Sequence, residues 1–233
     1  MDRTRLTDDS PGFLHGGGEG GQAVERENVT EALSQESLTP SSTVFMLDKS
    51  RSMFLNDCFP AAKEAALALD ALIRSQFPRD DLYVVAFSLL AAQVQPSDLP
   101  LQTWDEYAYG TNVQHGLMLA RQLLAQSTAQ NKQIIIVTDG EEPTAHLEPG
   151  EPGPIFNYPR TQRCIAATLR EVESATRENI VITIFVLQPS RGPSSFVEQM
   201  TSINGGSAFY VSPEHLQEDL LAHYARTKST KIL

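Results

Sequence analysis

The sequence predicts an α/β domain built on a doubly wound, mostly parallel sheet, and three observations carry that prediction. Apolar runs of strand length alternate with amphipathic, helix-length stretches from about residue 41 to 228. The runs 82–88, 133–138 and 180–187 are almost continuously apolar and rich in β-branched residues, as strands covered on both faces are. The intervening stretches are long enough for the right-handed crossovers that parallel pairing requires.

Taken in order, residues 1–40 show no apolar periodicity. Gly16, Gly17, Gly18, Gly20 and Gly21 mark a flexible N-terminal arm by composition. No strand precedes that glycine run and no Lys-Ser/Thr follows it, so it does not read as a phosphate loop. Segment 25–38 fits either an edge strand or a short helix. The domain is expected over 41–228, with 229–233 as a tail.

Val44, Phe45, Met46 and Leu47 make the first strand, which runs into Asp48. In 60–73, Ala65, Leu69, Leu72 and Ile73 share one stripe of an amphipathic helix. Residues 82–88 form the second strand. Residues 92–94 form a short antiparallel edge strand, ended by Pro96. A loop over 100–110 holds Trp104, Tyr107 and Tyr109. Gly110, Thr111 and Asn112 open a helix to about Gln126, with Val113, Leu117, Ala120 and Leu124 on its buried face. The strand 133–138 ends on Asp139-Gly140, and a Pro/Gly-rich loop fills 141–159. A helix over 161–178, a strand over 180–187 and a short helix over 194–203 follow, the last stopped at Gly205-Gly206. A strand over 207–211 and a helix over 213–227 close the domain.

A hydrophobic content of 41% is enough for a real core, while the formal net charge is −11. Such acidity argues against nucleic acid and against an anionic membrane surface as partners. Cys58 and Cys164 are the only cysteines, too few for a disulfide framework, so reduced thiols in a cytoplasmic protein are expected. No apolar signal-peptide core opens the chain, and no run is long enough to span a membrane. Without a secretion signal, Asn28-Val29-Thr30 reads as an accidental glycosylation match.

The chemistry gathers at strand ends. Asp48, Ser50 and Ser52 follow the first strand, where a tight loop can turn all three towards one point while Lys49 and Arg51 turn away. Thr111 begins a helix after a glycine, and Asp139 ends another strand. In a doubly wound sheet all belong to the carboxyl edge, where ligands bind. Carboxylates and hydroxyls are hard oxygen ligands that suit Mg²⁺ or Mn²⁺ better than zinc, with Ca²⁺ a further candidate.

Asp48-x-Ser50-x-Ser52, Gly110-Thr111-Asn112 and Thr138-Asp139-Gly140 resemble, in order, the three motifs of the metal-ion-dependent adhesion site of von Willebrand factor A domains. The likeness spans 41–228, and Ser50-Arg51-Ser52-Met53 looks most like bacterial intracellular members. The resemblance implies a metal-dependent module with an open metal position for a partner's carboxylate. It also raises a MoxR-type AAA+ ATPase, or a chelatase-type assembly, as partner. Many members carry glycine where this chain has Arg51, so a cation stands beside the metal here. Glu141 and Glu142 follow Asp139 and offer carboxylates from within the chain. Arg51, Glu141, Glu142 and Tyr109 are therefore expected at a partner-binding rim.

Plainer roles compete at each position. Asp48, Ser50 and Ser52 could satisfy turn backbone groups, Thr111 or Asn112 could be an N-cap, and Asp139-Gly140 a turn. Their coincidence at three strand ends favours the metal. A Mg²⁺-dependent hydrolase or phosphotransferase is the alternative function, and a metal-free structural subunit is a third. Neither a G-x-S-x-G elbow, an H-E-x-x-H motif, a C-x-x-C motif nor a Walker sequence is present. Ser50, Ser52 and Thr111 are occupied as ligands in this reading, so no enzyme is expected. His115 is expected as a surface or capping residue, and Cys58 as a buried inert thiol.

Overall fold

The computed structural model describes residues 39–103, 109–140, 142–187 and 194–229. The expected arm up to residue 38, Trp104, Tyr107, Glu141 and the tail beyond Ser229 lie outside the described residues. The described strands are β1 (Ser41–Asp48), β2 (Asp81–Phe87), β3 (Ala91–Val94), β4 (Asn131–Thr138), β5 (Ala145–His146), β6 (Ile155–Phe156), β7 (Ile180–Leu187) and β8 (Ser207–Val211). The α-helices are α1 (Arg51–Leu55), α2 (Cys58–Gln76), α3 (Val113–Gln126), α4 (Gln162–Arg177), α5 (Ser195–Asn204) and α6 (Leu216–Ser229). A 3₁₀ turn spans Pro96–Leu101.

Six strands form one sheet in the order β3-β2-β1-β4-β7-β8. All of its pairings are parallel except that of β3, which runs antiparallel at the edge. The doubly wound architecture and its antiparallel edge strand are as the alternation predicts. From β1 the chain builds outwards through β2 to β3, then returns to place β4 on β1's other side. The winding therefore reverses between β1 and β4, the point where such sheets hold ligands.

Alternation along β1 divides the core into two layers. Val44 and Met46 pack with Leu117 and Leu124 of α3, together with residues of α4 and α5. Phe45 and Leu47 pack with Leu69 of α2 and Leu220 of α6. Gly116 lets α3 lie close to the sheet, because a Cβ there would come within 2.4 Å of Met46 Cε. All eight residues of β1 are buried.

β1 begins three residues earlier than its apolar run. Ser41, Ser42 and Thr43 are polar yet buried. Ser41 N–H donates to Asp80 Oδ1 at 2.9 Å, and Thr43 Oγ1 accepts from Gln133 Nε2 at 2.9 Å. Hydrogen bonds thus replace hydrophobicity as the reason Ser41 and Thr43 enter the strand. The expected loop after Asp48 is also shorter than its sequence suggests, since Ser50 is the N-cap of α1 and Ser52 lies in that helix. The long loop after Asp139 contains an antiparallel pair, with Ala145 opposite Phe156 and His146 opposite Ile155. Among the described residues, no helix is long and apolar enough to cross a membrane.

At the opposite edge of the sheet, Lys228 Nζ lies 2.9 Å from Ser41 Oγ, from Asp80 Oδ1 and from the Thr39 carbonyl. The Tyr224 hydroxyl donates to Asp80 Oδ2 at 2.7 Å. Both charges of this pair are almost fully buried, at 5% and 3% side-chain exposure. Asp80→Ala would strand a buried ammonium and should cost about 3–5 kcal/mol of stability in denaturant unfolding. Arg74→Ala removes an ion pair whose arginine is 71% exposed, and should cost under about 1 kcal/mol. Equal losses would show that the buried network is not what fastens α6 to the strand starts.

Candidate functional site

Register brings the first and third motifs of the site together. β1 and β4 lie side by side with Leu47 opposite Val137, so Asp48 and Asp139 leave adjacent strand ends. Asp48 has no exposed surface. Its Oδ1 accepts from Ser50 N–H at 2.8 Å, and its Oδ2 accepts from the Thr138 hydroxyl at 2.7 Å. Burial, and then the neighbouring charge of Asp139, push the Asp48 carboxyl up to about 7, against the opposing pull of the Thr138 and Ser50 hydrogen bonds.

The hydroxyls converge on the same place. Ser50 Oγ and Ser52 Oγ are 3.1 Å apart, and both line a cavity of about 430 Å³ that Thr111 also lines. Thr111 is held there through its backbone. Its N–H donates to Thr144 Oγ1 at 2.9 Å, and its carbonyl accepts from Thr144 N–H at 3.1 Å. Asn112 caps α3 by accepting from His115 N–H at 3.0 Å, and its amide donates to the Leu89 carbonyl. The capping role expected of this turn therefore falls to Asn112, which leaves the Thr111 side chain at the cavity.

Gly140 completes the β4 end. Its φ of +79° suits glycine, and a Cβ would lie 2.6 Å from Val186 Cγ1.

The hairpin β5–β6 forms the outer wall. Leu147 N–H donates to Gln114 Oε1 at 2.7 Å, tying the wall to α3. His146 Nδ1 lies 3.2 Å from Cys164 Sγ and its Nε2 lies 2.9 Å from Glu148 Oε1, tying the wall to the start of α4. Both His146 and Cys164 are buried. The sequence carries no local signal for this link, because its members lie in a loop and a helix 18 positions apart. His115, expected at the surface or in a cap, gives its N–H to the Asn112 cap, and its Nδ1 also accepts from Ala91 N–H at 3.0 Å, which anchors the edge strand β3. Cys58 is buried, as expected, with Sγ 3.4 Å from the Asn56 carbonyl.

The rim residues fall into two groups. Arg51 and Tyr109 line the cavity, and Tyr109 packs edge-to-face on Phe156 with centroids 5.0 Å apart. Glu142 forms an ion pair with Arg160, and Glu141 lies outside the described residues. Three residues that were not expected as site residues join it: Thr138 of the third motif, which binds Asp48, Thr144, which clasps Thr111, and Phe156, which backs Tyr109. Of these only Thr138 had a signal, its place directly before Asp139.

Among the described residues, no group of three His, Cys, Asp or Glu side chains is placed to hold a metal. Three hydroxyls at this cavity, those of Ser50, Ser52 and Thr111, and two buried carboxylates at the adjoining ends of β1 and β4 instead make up a donor set that fits a hard divalent cation such as Mg²⁺, Mn²⁺ or Ca²⁺.

A family profile described as "Rv0959-like protein, vWA domain" matches residues 41–225. The uncharacterized protein Rv0959 of Mycobacterium tuberculosis (strain ATCC 25618 / H37Rv) is 33% identical over 173 residues, a match covering 73% of this chain and 25% of that protein. The chain thus spans about a quarter of the length of the curated relatives it matches. Among solved structures, a von Willebrand factor type A protein from Catenulispora acidiphila superposes with a TM-score of 0.57 at 20% identity, over 82% of this chain and 43% of that one. The pilus adhesin SpaC from Lactobacillus rhamnosus GG gives 0.59 at 17% identity, over 81% and 30%. At these identities the structural likeness speaks for the fold alone.

Asp48 gives the site a pH signature. A carboxyl raised from 3.8 to about 7 in the folded state favours folding while protonated. Its contribution is complete below 3.8 and is lost as pH rises through 7. In chelator-treated protein, raising the pH from about 5 to about 8 should remove up to about 3 kcal/mol of stability, about two pH units at about 1.4 kcal/mol each. Asp48→Asn should flatten this dependence in urea titrations at the two pH values. An unchanged slope in the variant would mean that Asp48 is not the titrating group.

Proposed function

The chain belongs to the Rv0959-like branch of the von Willebrand factor A domains, and from that premise we propose that it is a non-enzymatic, metal-dependent protein-binding module. Asp48, Ser50, Ser52, Thr111 and Asp139 are the residues that would hold the cation, Mg²⁺ or Mn²⁺ in the first instance. When bound, the cation supplies an electrophilic position for a carboxylate presented by another protein. The observation that carries this reading is the pair of neighbouring buried acids. Asp48 is lifted to about 7 by its burial and by Asp139, a strain that a divalent charge between them would relieve.

The residues around the cavity support binding over turnover. Hydroxyls, one guanidinium, the Asn56 amide and apolar side chains line it among the described residues. A hydrolase or phosphotransferase would need a nucleophile or general base of tuned pKa beside the cation. The neighbouring His146–Cys164 pair is sealed in the core, where substrate cannot reach it. Cys58 and Cys164 are buried thiols, which supports a cytoplasmic setting. A MoxR-type AAA+ ATPase is one protein of the class that could present the carboxylate.

The test is thermal melting across a Mg²⁺ or Mn²⁺ titration. At about 100 times its Kd, a ligand that binds only the native state adds about 2.7 kcal/mol. The melting temperature of the wild type should rise accordingly, while Asp48→Ala should stay flat. An equal rise in both proteins would overturn the assignment.

A further inference from the structure

Seven large apolar side chains are strongly exposed among the described residues, and four of them, Leu55, Tyr109, Phe156 and Tyr158, line the one cavity above Ser50, Ser52 and Thr111. Scattered exposed apolar residues are ordinary, but their concentration at a cavity mouth marks a contact surface. Leu55 is 69% exposed and Tyr158 is 83% exposed. Their positions are built from separate elements: Leu55 ends α1, Phe156 belongs to β6 and Tyr109 precedes the α3 turn. Gly110 allows Phe156 to pack closely, since a Cβ there would lie 3.0 Å from Phe156 Cδ2. Phe156 and Tyr109 in turn pack edge-to-face, 77° between planes, which holds the two rings as a fixed ledge.

Charge at the mouth has one sign. Arg51 is the only charged side chain among the described residues lining the cavity, on a chain of net charge −11. A guanidinium offers a planar fork to carboxylates, and an acidic protein with one cationic mouth directs acidic groups there. A small anion would leave the apolar ledge wet. An anionic lipid surface would meet a single arginine at this mouth, on a chain of net charge −11. The pairing of a cationic point with a ledge of aromatic and aliphatic groups fits a peptide segment with both features adjacent.

We propose that this mouth reads a two-part determinant on another protein: an acidic side chain directed to the cavity floor and Arg51, and a large apolar neighbour seated on Leu55, Tyr109, Phe156 and Tyr158. The proposal rests on the metal-dependent reading of the floor and adds what selects the partner. The acid alone would be common to any exposed Asp or Glu. The apolar neighbour is what narrows the choice, because it removes ledge surface from water only when correctly spaced from the acid.

The test uses the full chain, immobilised in Mg²⁺, with a random-peptide display library as the probe and EDTA as the eluent. Eluted peptides should be enriched in Asp or Glu within two positions of Leu, Ile, Phe or Tyr. The double variant Leu55→Ser/Tyr158→Ser, whose side chains are exposed and whose melting should match wild type, should still select acids but lose the apolar preference. The best wild-type peptide should bind this variant at least tenfold more weakly. Acidic peptides without apolar preference, or equal affinity for both proteins, would overturn the two-part determinant and leave the metal reading intact. Enrichment that resists EDTA and persists in Asp139→Ala would overturn the metal reading and this proposal with it. A failure to enrich any EDTA-eluted peptide overturns the proposal. So does Mg²⁺-dependent self-association abolished by Leu55→Ser, since a second copy would then be the occupant.

Discussion

Asp48 is an ionisable group placed where no water reaches it, at the end of a strand buried along its whole length. A carboxylate in that position needs compensation from fixed donors, and the chain supplies them from both directions. Ser50 N–H approaches from the N-cap of α1, and the Thr138 hydroxyl approaches from β4. Satisfying Asp48 therefore determines where α1 starts and how closely the ends of β1 and β4 must align. Asp139 then works against the arrangement, being a second acid in the same low-dielectric space. A fold that only needed stability would be better served by an amide at either position. The retained conflict is the feature a bound cation would resolve, and strained polar clusters of this kind are commonest where a protein works.

The architecture was legible because its strands are hydrophobic on both faces and its helices on one. Ile134, Ile135, Ile136 and Val137 alternate between two helical layers, so a continuous apolar run was the correct signature. Three parts of the site could be read for a related reason, since Asp48, Thr111 and Asp139 each stand where an apolar pattern stops or starts. What periodicity could not show was structure held by polar contacts. Ser41 and Thr43 enter β1 through hydrogen bonds to Asp80 and Gln133. Lys228 reaches the same place from the far end of the chain. Helix α1 has five residues and strands β5 and β6 have two each, too few for any period to emerge. Phe156 and Tyr158 sat in a stretch whose prolines and glycines announce only a loop.

The wall of the cavity deserves weight equal to its floor. Thr144 clasps the Thr111 backbone on one side, while Ala145 pairs with Phe156 on the other. One small hairpin thus sets the position of a hydroxyl at the floor and of a ring at the rim. Its own rigidity comes from outside, through Gln114 of α3 and through the His146–Cys164 contact with α4. An isolated two-stranded pair has little stability of its own in water. Here its shape is borrowed from the two helices against which it is fastened.

That construction separates two requirements that would otherwise compete. The floor needs buried oxygens held in one geometry, so each is set by backbone or by a neighbouring side chain, and substitution there disturbs the core. The rim needs only shape and exposed apolar area, so Leu55 and Tyr158 project from elements that the floor has already fixed. Exchanging an exposed side chain away from packed features ordinarily changes stability by no more than about 0.5 kcal/mol. Contact preference can therefore change at the rim while the carboxylate pair beneath it stays undisturbed. Arg51 stands at the boundary between the two. It lies between Ser50 and Ser52 in sequence, yet its guanidinium belongs to the mouth, which puts a selecting charge as near the floor as an exposed residue can stand.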